Sequence, residues 1–175
     1  VCLQSVLAAT QDLDAEVILV DNASVDGSVQ WISQQFPQVK QINNKENVGF
    51  PKGNNIGVAQ AKGEFLCILN PDTIVAEDTF ANAISFMENN KQVAIMGPKL
   101  IDGSGTFLKE SKRGVPTPAV AFSKVCGLYK IAPKLFGKYY NLRLSKDKSG
   151  PTEILVGAFM FMRTEHYREL NGFDE

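Results

Sequence analysis

The sequence predicts an α/β fold, a mostly parallel sheet flanked by helices on both faces. Two observations carry this. Short strand-like stretches at residues 16–20, 39–42, 65–69 and 93–98 alternate with stretches of helical period at 28–36, 54–61 and 76–90, the order expected of parallel strands joined by crossover helices. Two of the runs are continuously apolar, VILV at 17–20 and FLCIL at 65–69, which suits strands covered on both faces.

Each element follows in order. Residues 1–7 (VCLQSVL) have helical spacing with neither strand nor cap before them, and the chain closes on Phe173-Asp174-Glu175; both ends therefore read as cuts in a longer polypeptide. The first strand, 16–20, stops at Asp21. Residues 24–27 supply turn and N-cap chemistry for a helix over 28–36, whose Val29, Ile32 and Phe36 share one face. Pro37 closes that helix. A second strand spans 39–42, a polar glycine-rich loop spans 43–53, and a helix spans 54–61 with Lys62-Gly63 as its C-cap. The third strand is 65–69. Residues 76–90 form an amphipathic helix with Phe80, Ala83, Ile84 and Met87 on one side. A fourth strand follows at 93–98, then a hairpin-like turn at Gly103-Ser104-Gly105. After an irregular or partly helical insertion come a late strand at 154–156 and a short helix at 166–170.

Composition narrows the classes. A chain of 175 residues fits one domain and buries a real core, since chains near this size hide roughly 70% of their unfolded surface. The net charge of -1 gives no global attraction to nucleic acid. Cys2, Cys67 and Cys126 are an odd number without CxxC or zinc spacing, so free thiols in a reducing, cytoplasmic setting are expected. No run of 18 apolar residues and no basic-then-apolar leader is visible.

Three polar segments lie just beyond predicted strands, where open α/β sheets bind ligands. Asp21-Asn22, followed by Ser24 and Asp26, gathers acceptors and donors suited to a base edge and ribose hydroxyls; the same residues also suit a turn and a helix cap. The 47–57 segment (NVGFPKGNNIG) offers glycines, Lys52, the amides of Asn54 and Asn55, and a helix start, the ingredients of an anion site, although a plain glycine-rich connection explains the glycines too. Asp72, in Asn70-Pro71-Asp72-Thr73, is a carboxylate that Mg²⁺ or Mn²⁺ would accept while keeping positions open for diphosphate oxygens, or else a turn residue. His166, Trp31, Phe36 and Cys67 read as structural.

Taken in order with Cys2-Leu3-Gln4-Ser5 before them and Val156-Gly157-Ala158-Phe159-Met160 and Gly172-Phe173-Asp174-Glu175 after, these segments resemble glycosyltransferase family 2, particularly its rhamnosyltransferase-like bacterial members. The likeness spans nearly the whole chain. It implies a GT-A (Rossmann-like) fold and inverting transfer from a nucleoside-diphosphate sugar, dTDP-rhamnose or a UDP-sugar, to a glycan or polyprenyl-linked acceptor in cell-surface polysaccharide synthesis. By the same resemblance Asp21, Asn22, Ser24 and Asp26 serve the nucleoside, and Lys52, Asn54 and Asn55 the diphosphate or sugar. Asp72 faces the metal, with Asn70 in place of the first acid of the family's DxD. Gly157, Ala158 and Asp174 belong to the donor and acceptor side. The general base is expected beyond Glu175. A nucleotide-sugar-binding domain without activity is the alternative. The expected organisation is one GT-A domain over 1–175, with a nucleotide-sugar half at 1–108 and an acceptor-side half at 109–175.

Charge is unevenly spread. Residues 109–148 hold ten Lys/Arg against Glu110 and Asp147, a net +8, which leaves -9 for the rest. Aromatic and aliphatic residues interleave with these bases. Such a segment suits peripheral contact with anionic lipid at the inner membrane face, or apolar packing beneath solvated lysines.

Overall fold

The computed structural model describes residues 1–108, 149–152 and 154–175. The basic 109–148 segment and Cys126 lie outside the described residues. The described elements are α1 (Cys2–Ala9), β1 (Ile18–Asp21), α2 (Ser28–Gln35), β2 (Lys40–Asn43), α3 (Gly49–Val58), β3 (Phe65–Leu69), α4 (Thr79–Asn89), β4 (Ile95–Met96), β5 (Phe159–Arg163) and α5 (Thr164–Glu169). The alternation of helices and strands follows the expected order, and the fold is α/β.

β1 and β2 pair in parallel, Ile18 opposite Lys40 through Asp21 opposite Asn43. A second sheet has the order β3-β5-β4. By compactness the chain divides into two units, Val1–Ile95 with Phe161–Glu175, and Met96–Met160. The division falls within β4 and β5.

Within the first unit, α3 lies against β1 through glycine. A Cβ at Gly57 would stand 2.9 Å from Val20 Cγ2, so any side chain there would push the helix off the strand. Phe65 and Phe161 stack with ring centroids 5.5 Å apart. The guanidinium of Arg163 lies over the Phe65 ring, donates to Glu64 Oε1 at 2.9 Å and to the Met87 carbonyl at 3.2 Å. Thr164 fixes the start of α5 by donating Oγ1 to the Gly63 carbonyl and its N–H to the Glu64 carbonyl. Ile68, Phe80, Ala83, Phe161 and Met162 are buried, and Met87 is wholly enclosed at 0% exposure. Cys67 carries a free thiol that burial pushes up to about 12.

Within the second unit, Ile101 and Phe107 form an antiparallel bridge around the predicted turn. Asp102 organises that turn, its Oδ1 accepting from Ser104 Oγ, Ser104 N–H and Thr106 N–H. A Cβ at Gly97 would meet Leu155 and the Phe159 carbonyl.

Several boundaries differ from expectation, each for a physical reason. α3 begins at Gly49, because Pro51 falls within the first turn, where its missing N–H costs nothing. It also ends at Val58, ahead of Lys62-Gly63. The N-cap of α2 is Gly27, the last residue of the expected 24–27 turn, in the left-handed region. Ile154 is described outside any strand and the late strand is instead 159–163, whose FMFM run is buried throughout, the continuous apolar signature of a covered strand. His166 lies within α5, its Nδ1 buried with no partner among the described residues. Trp31 is 55% exposed and meets the buried Phe36 edge to face, so it covers part of the core from outside.

Candidate functional site

The carboxyl ends of β1 and β2 lie side by side because the strands are parallel and in register. At that edge Asp21 Oδ2 accepts the Ser24 N–H at 2.9 Å, closing a tight turn. Ala23 takes a left-handed φ of 65° there, which costs a non-glycine residue on the order of 1 kcal/mol. Asp26 continues the loop: its Oδ1 accepts Ser28 Oγ at 2.6 Å and Ser28 N–H at 3.0 Å. The Ser28 hydroxyl first, then its N–H, hold the Asp26 carboxyl below the usual aspartate range. One oxygen of each carboxylate is thus used locally, and Ser24 and Asp26 stand exposed.

Asn22 braces this edge from within. Its Nδ2 donates to the Gly49 carbonyl at 3.3 Å, its Oδ1 accepts from Asn44 Nδ2 at 2.9 Å, and the amide underlies Gly53, where a Cβ would come within 3.3 Å. This ties the end of β1, the residue after β2 and the first turns of α3 together. Asn44 was not singled out from sequence; its only signal was its place directly after a strand.

The start of α3 is partly occupied. Asn47 Oδ1 accepts the Gly49 N–H at 2.9 Å, and Pro51 has no N–H. The helix end is therefore a poorer anion cradle than its sequence implied, and positive charge there comes from Lys52. Lys52 Nζ stands 3.9 Å from Glu175 Oε2, with the two side chains 52% and 48% exposed. A pair this exposed holds weakly, about 0–1 kcal/mol, so the ammonium can turn to another anion. Asn54 Nδ2 donates back to the Phe50 carbonyl. Asn55 bonds to Tyr167, Phe173 and Glu175.

Asp72 belongs to a second group in the same unit. Thr73 N–H donates to the Asn70 carbonyl at 3.2 Å, forming a turn that leaves Asp72 exposed. α1 supports this turn from behind. Cys2 Sγ donates to the Asn70 carbonyl at 3.7 Å, and Ser5 Oγ accepts the Val75 N–H at 3.2 Å while donating to the Cys2 carbonyl. Burial raises the Cys2 thiol, and the Asp72 charge adds to that. The Cys2-Leu3-Gln4-Ser5 stretch, recognised only as a flanking match, is thus the bracket of the Asp72 turn. Among the described residues no hydrogen bond or ion pair joins Asp72 to the Asp21 loop or to Lys52, and no group of three or more His, Cys, Asp or Glu is placed to hold a metal. A lone exposed carboxylate matches a hard cation that takes most of its ligands from diphosphate and water. Gly157 and Ala158 form the turn entering β5 in the second unit, and Asp174 is exposed in the first.

Residues 1–170 match the sequence profile of glycosyl transferase family 2. Among curated proteins the chain is similar to the poly(ribitol-phosphate) beta-N-acetylglucosaminyltransferase TarS of Staphylococcus aureus strain Mu50, 27% identical over 136 residues, covering 75% of this chain and 23% of TarS. It is also similar to the O-antigen biosynthesis protein RfbC of Myxococcus xanthus, 27% identical over 181 residues, covering 99% of this chain and 13% of that one. The chain thus spans a quarter or less of the length of these relatives. A solved structure of the mannosyltransferase PcManGT from Pyrobaculum calidifontis, in complex with GDP-Man and Mn²⁺, superposes with a TM-score of 0.59 at 22% identity, covering 98% of this chain and 42% of that one. With the family profile spanning nearly every residue and the same fold beneath it, the chain belongs to glycosyl transferase family 2.

Proposed function

We propose that this chain holds a nucleoside-diphosphate sugar, dTDP-rhamnose or a UDP-sugar, for inverting transfer to a glycan or polyprenyl-linked acceptor in cell-surface polysaccharide synthesis. The observation that carries the reading is the joint at the carboxyl edge of β1 and β2, where Asn22 and Asn44 tie the end of β1 to the first turns of α3, the helix that carries Lys52. Names of relatives support the polymer class: TarS acts on poly(ribitol-phosphate) and RfbC serves O-antigen biosynthesis.

Roles follow from the chemistry each group retains. The second oxygen of Asp21 and the hydroxyl of Ser24 take donors and acceptors of the nucleoside. Asp26 sets the shape of that loop through Ser28. Lys52 leaves its weak pair with Glu175 and neutralises charge on the diphosphate as it departs. Asp72 would hold Mg²⁺ or Mn²⁺ against the diphosphate, with Asn70 shaping the turn; when bound, the ion stabilises leaving-group charge. PcManGT was solved with GDP-Man and Mn²⁺, which supports a divalent ion here. In an inverting displacement the acceptor oxygen attacks the anomeric carbon as a carboxylate base removes its proton, and the bond to the diphosphate breaks on the opposite face.

Among the described residues no helix is long and apolar enough to cross a membrane. We assign peripheral contact with the inner membrane face to the basic 109–148 stretch, from its charge.

Calorimetric titration with dTDP, UDP and GDP, each with and without Mn²⁺, tests the reading. One nucleotide binding more tightly with Mn²⁺ is expected, together with loss of the metal effect in Asp72→Ala. Equal affinity in Asp72→Ala with Mn²⁺ would remove Asp72 from the metal site.

A further inference from the structure

Asn55 has every hydrogen-bonding position of its carboxamide occupied. Oδ1 accepts from Tyr167 Oη at 2.6 Å and from the Phe173 N–H at 2.9 Å. Nδ2 donates to the Phe173 carbonyl at 2.9 Å and to Glu175 Oε1 at 3.0 Å. A carboxamide offers two donors and two acceptor lone pairs, so nothing remains for a ligand. The orientation is fixed by chemistry, because the amide faces both the N–H and the carbonyl of one residue, as a neighbouring strand would; reversing it would break the bonds to Phe173 and Glu175.

The partner segment is shaped to receive this side chain. Gly172 has φ of 78°, and the space a Cβ would need is filled by Asn55 Oδ1 and the Tyr167 ring. Phe173 then packs against Tyr167 at 5.5 Å and Phe50 at 5.8 Å between ring centroids. The outcome is that Glu175 arrives beside Lys52.

We propose that Asn55 is a positioning residue: it seats residues 172–175 on α3, places the Glu175 carboxylate beside Lys52, and does not touch the nucleotide. This rests on the reading above, in which Lys52 serves the diphosphate. Asn55→Ala and Tyr167→Phe, made in the full chain, test it by amide exchange at Phe173, by UDP affinity with Mn²⁺, and by turnover of the sugar nucleotide. Asn55→Ala is expected to speed Phe173 exchange by about ten-fold or more, and Tyr167→Phe by less, since each removes bonds that close the segment. UDP affinity and donor KM stay within about three-fold while kcat falls by roughly ten-fold, the signature of lost positioning rather than lost binding. A roughly ten-fold loss of UDP affinity with Phe173 exchange unaltered would make Asn55 a ligand and overturn the proposal, as would faster exchange with unchanged kcat. If Asn55→Ala does not fold, Tyr167→Phe decides, and unchanged exchange there overturns the clamp. A wild-type chain that binds none of UDP, dTDP and GDP defeats the nucleotide reading instead, and Phe173 exchange still judges the clamp.

Discussion

Asp26 holds its loop more strongly when ionised, because its partners are the hydroxyl and N–H of Ser28. Its folded pKa is depressed, so the contribution is full above the ordinary aspartate range and fades as pH falls through the lower folded value. We expect the Asp26 carboxyl to titrate by NMR below the ordinary aspartate value, and Ser28→Ala to return it most of the way. A titration unmoved by that substitution would show that Ser28 is not the cause. At this scale sequence reasoning found the polar residues but not their partners. Asp21, Asn22, Asp26 and Asn55 were visible as donors and acceptors beyond strands; that Asn22 would meet Asn44, and Asn55 meet Phe173 some 118 positions away, depends on tertiary placement that no local pattern encodes. Cys2 and Ser5 were legible only as a family match, since a helix supporting a remote turn leaves no periodic signal.

Among the elements, long periodic stretches were legible and ends were not. α4 was read from Phe80, Ala83 and Met87, all of which are buried. Its anchor is Met87, the wholly enclosed side chain whose carbonyl also receives Arg163. Met87→Ala should lower unfolding free energy by about 2–5 kcal/mol, the cost of lost burial plus a cavity that neighbours fill only partly; urea denaturation measures it. A loss below about 1 kcal/mol would mean that the surroundings collapse into the space. α3 was misjudged because its glycines and Pro51 look like a loop. The glycines are there for approach: Gly57 meets Val20 and Gly53 meets Asn22, and packing outweighs helix propensity. β5 was not read as a strand: Phe159-Met160 entered only as the end of a family motif, and the burial of the FMFM run went unread.

At the scale of the whole molecule the fold class was readable from the order of elements, whereas the division at Ile95/Met96 and Met160/Phe161 was not, because a chain that leaves a unit and returns shows no linker composition. The other molecular property in the sequence is its split charge. The +8 carried by residues 109–148, which lie outside the described residues, against -9 elsewhere, predicts binding to vesicles rich in anionic lipid at low ionic strength and release as salt screens the attraction. Sedimentation with phosphatidylglycerol vesicles checks this; absence of binding at low salt removes the membrane assignment.

The return of residues 161–175 to the first unit also sets an order of events during synthesis. Strand β3 waits for β5, and α3 for Phe173, until the whole intervening unit has left the ribosome. With 65 residues between Ile95 and Phe161, elongation at about 5–20 residues per second leaves Phe65 and the β3 edge uncovered for on the order of several seconds. Folding of the first unit is therefore completed only once residues 161–175 have been made, and the nascent chain passes through a stage with an open strand edge that a chaperone or a neighbouring chain could pair.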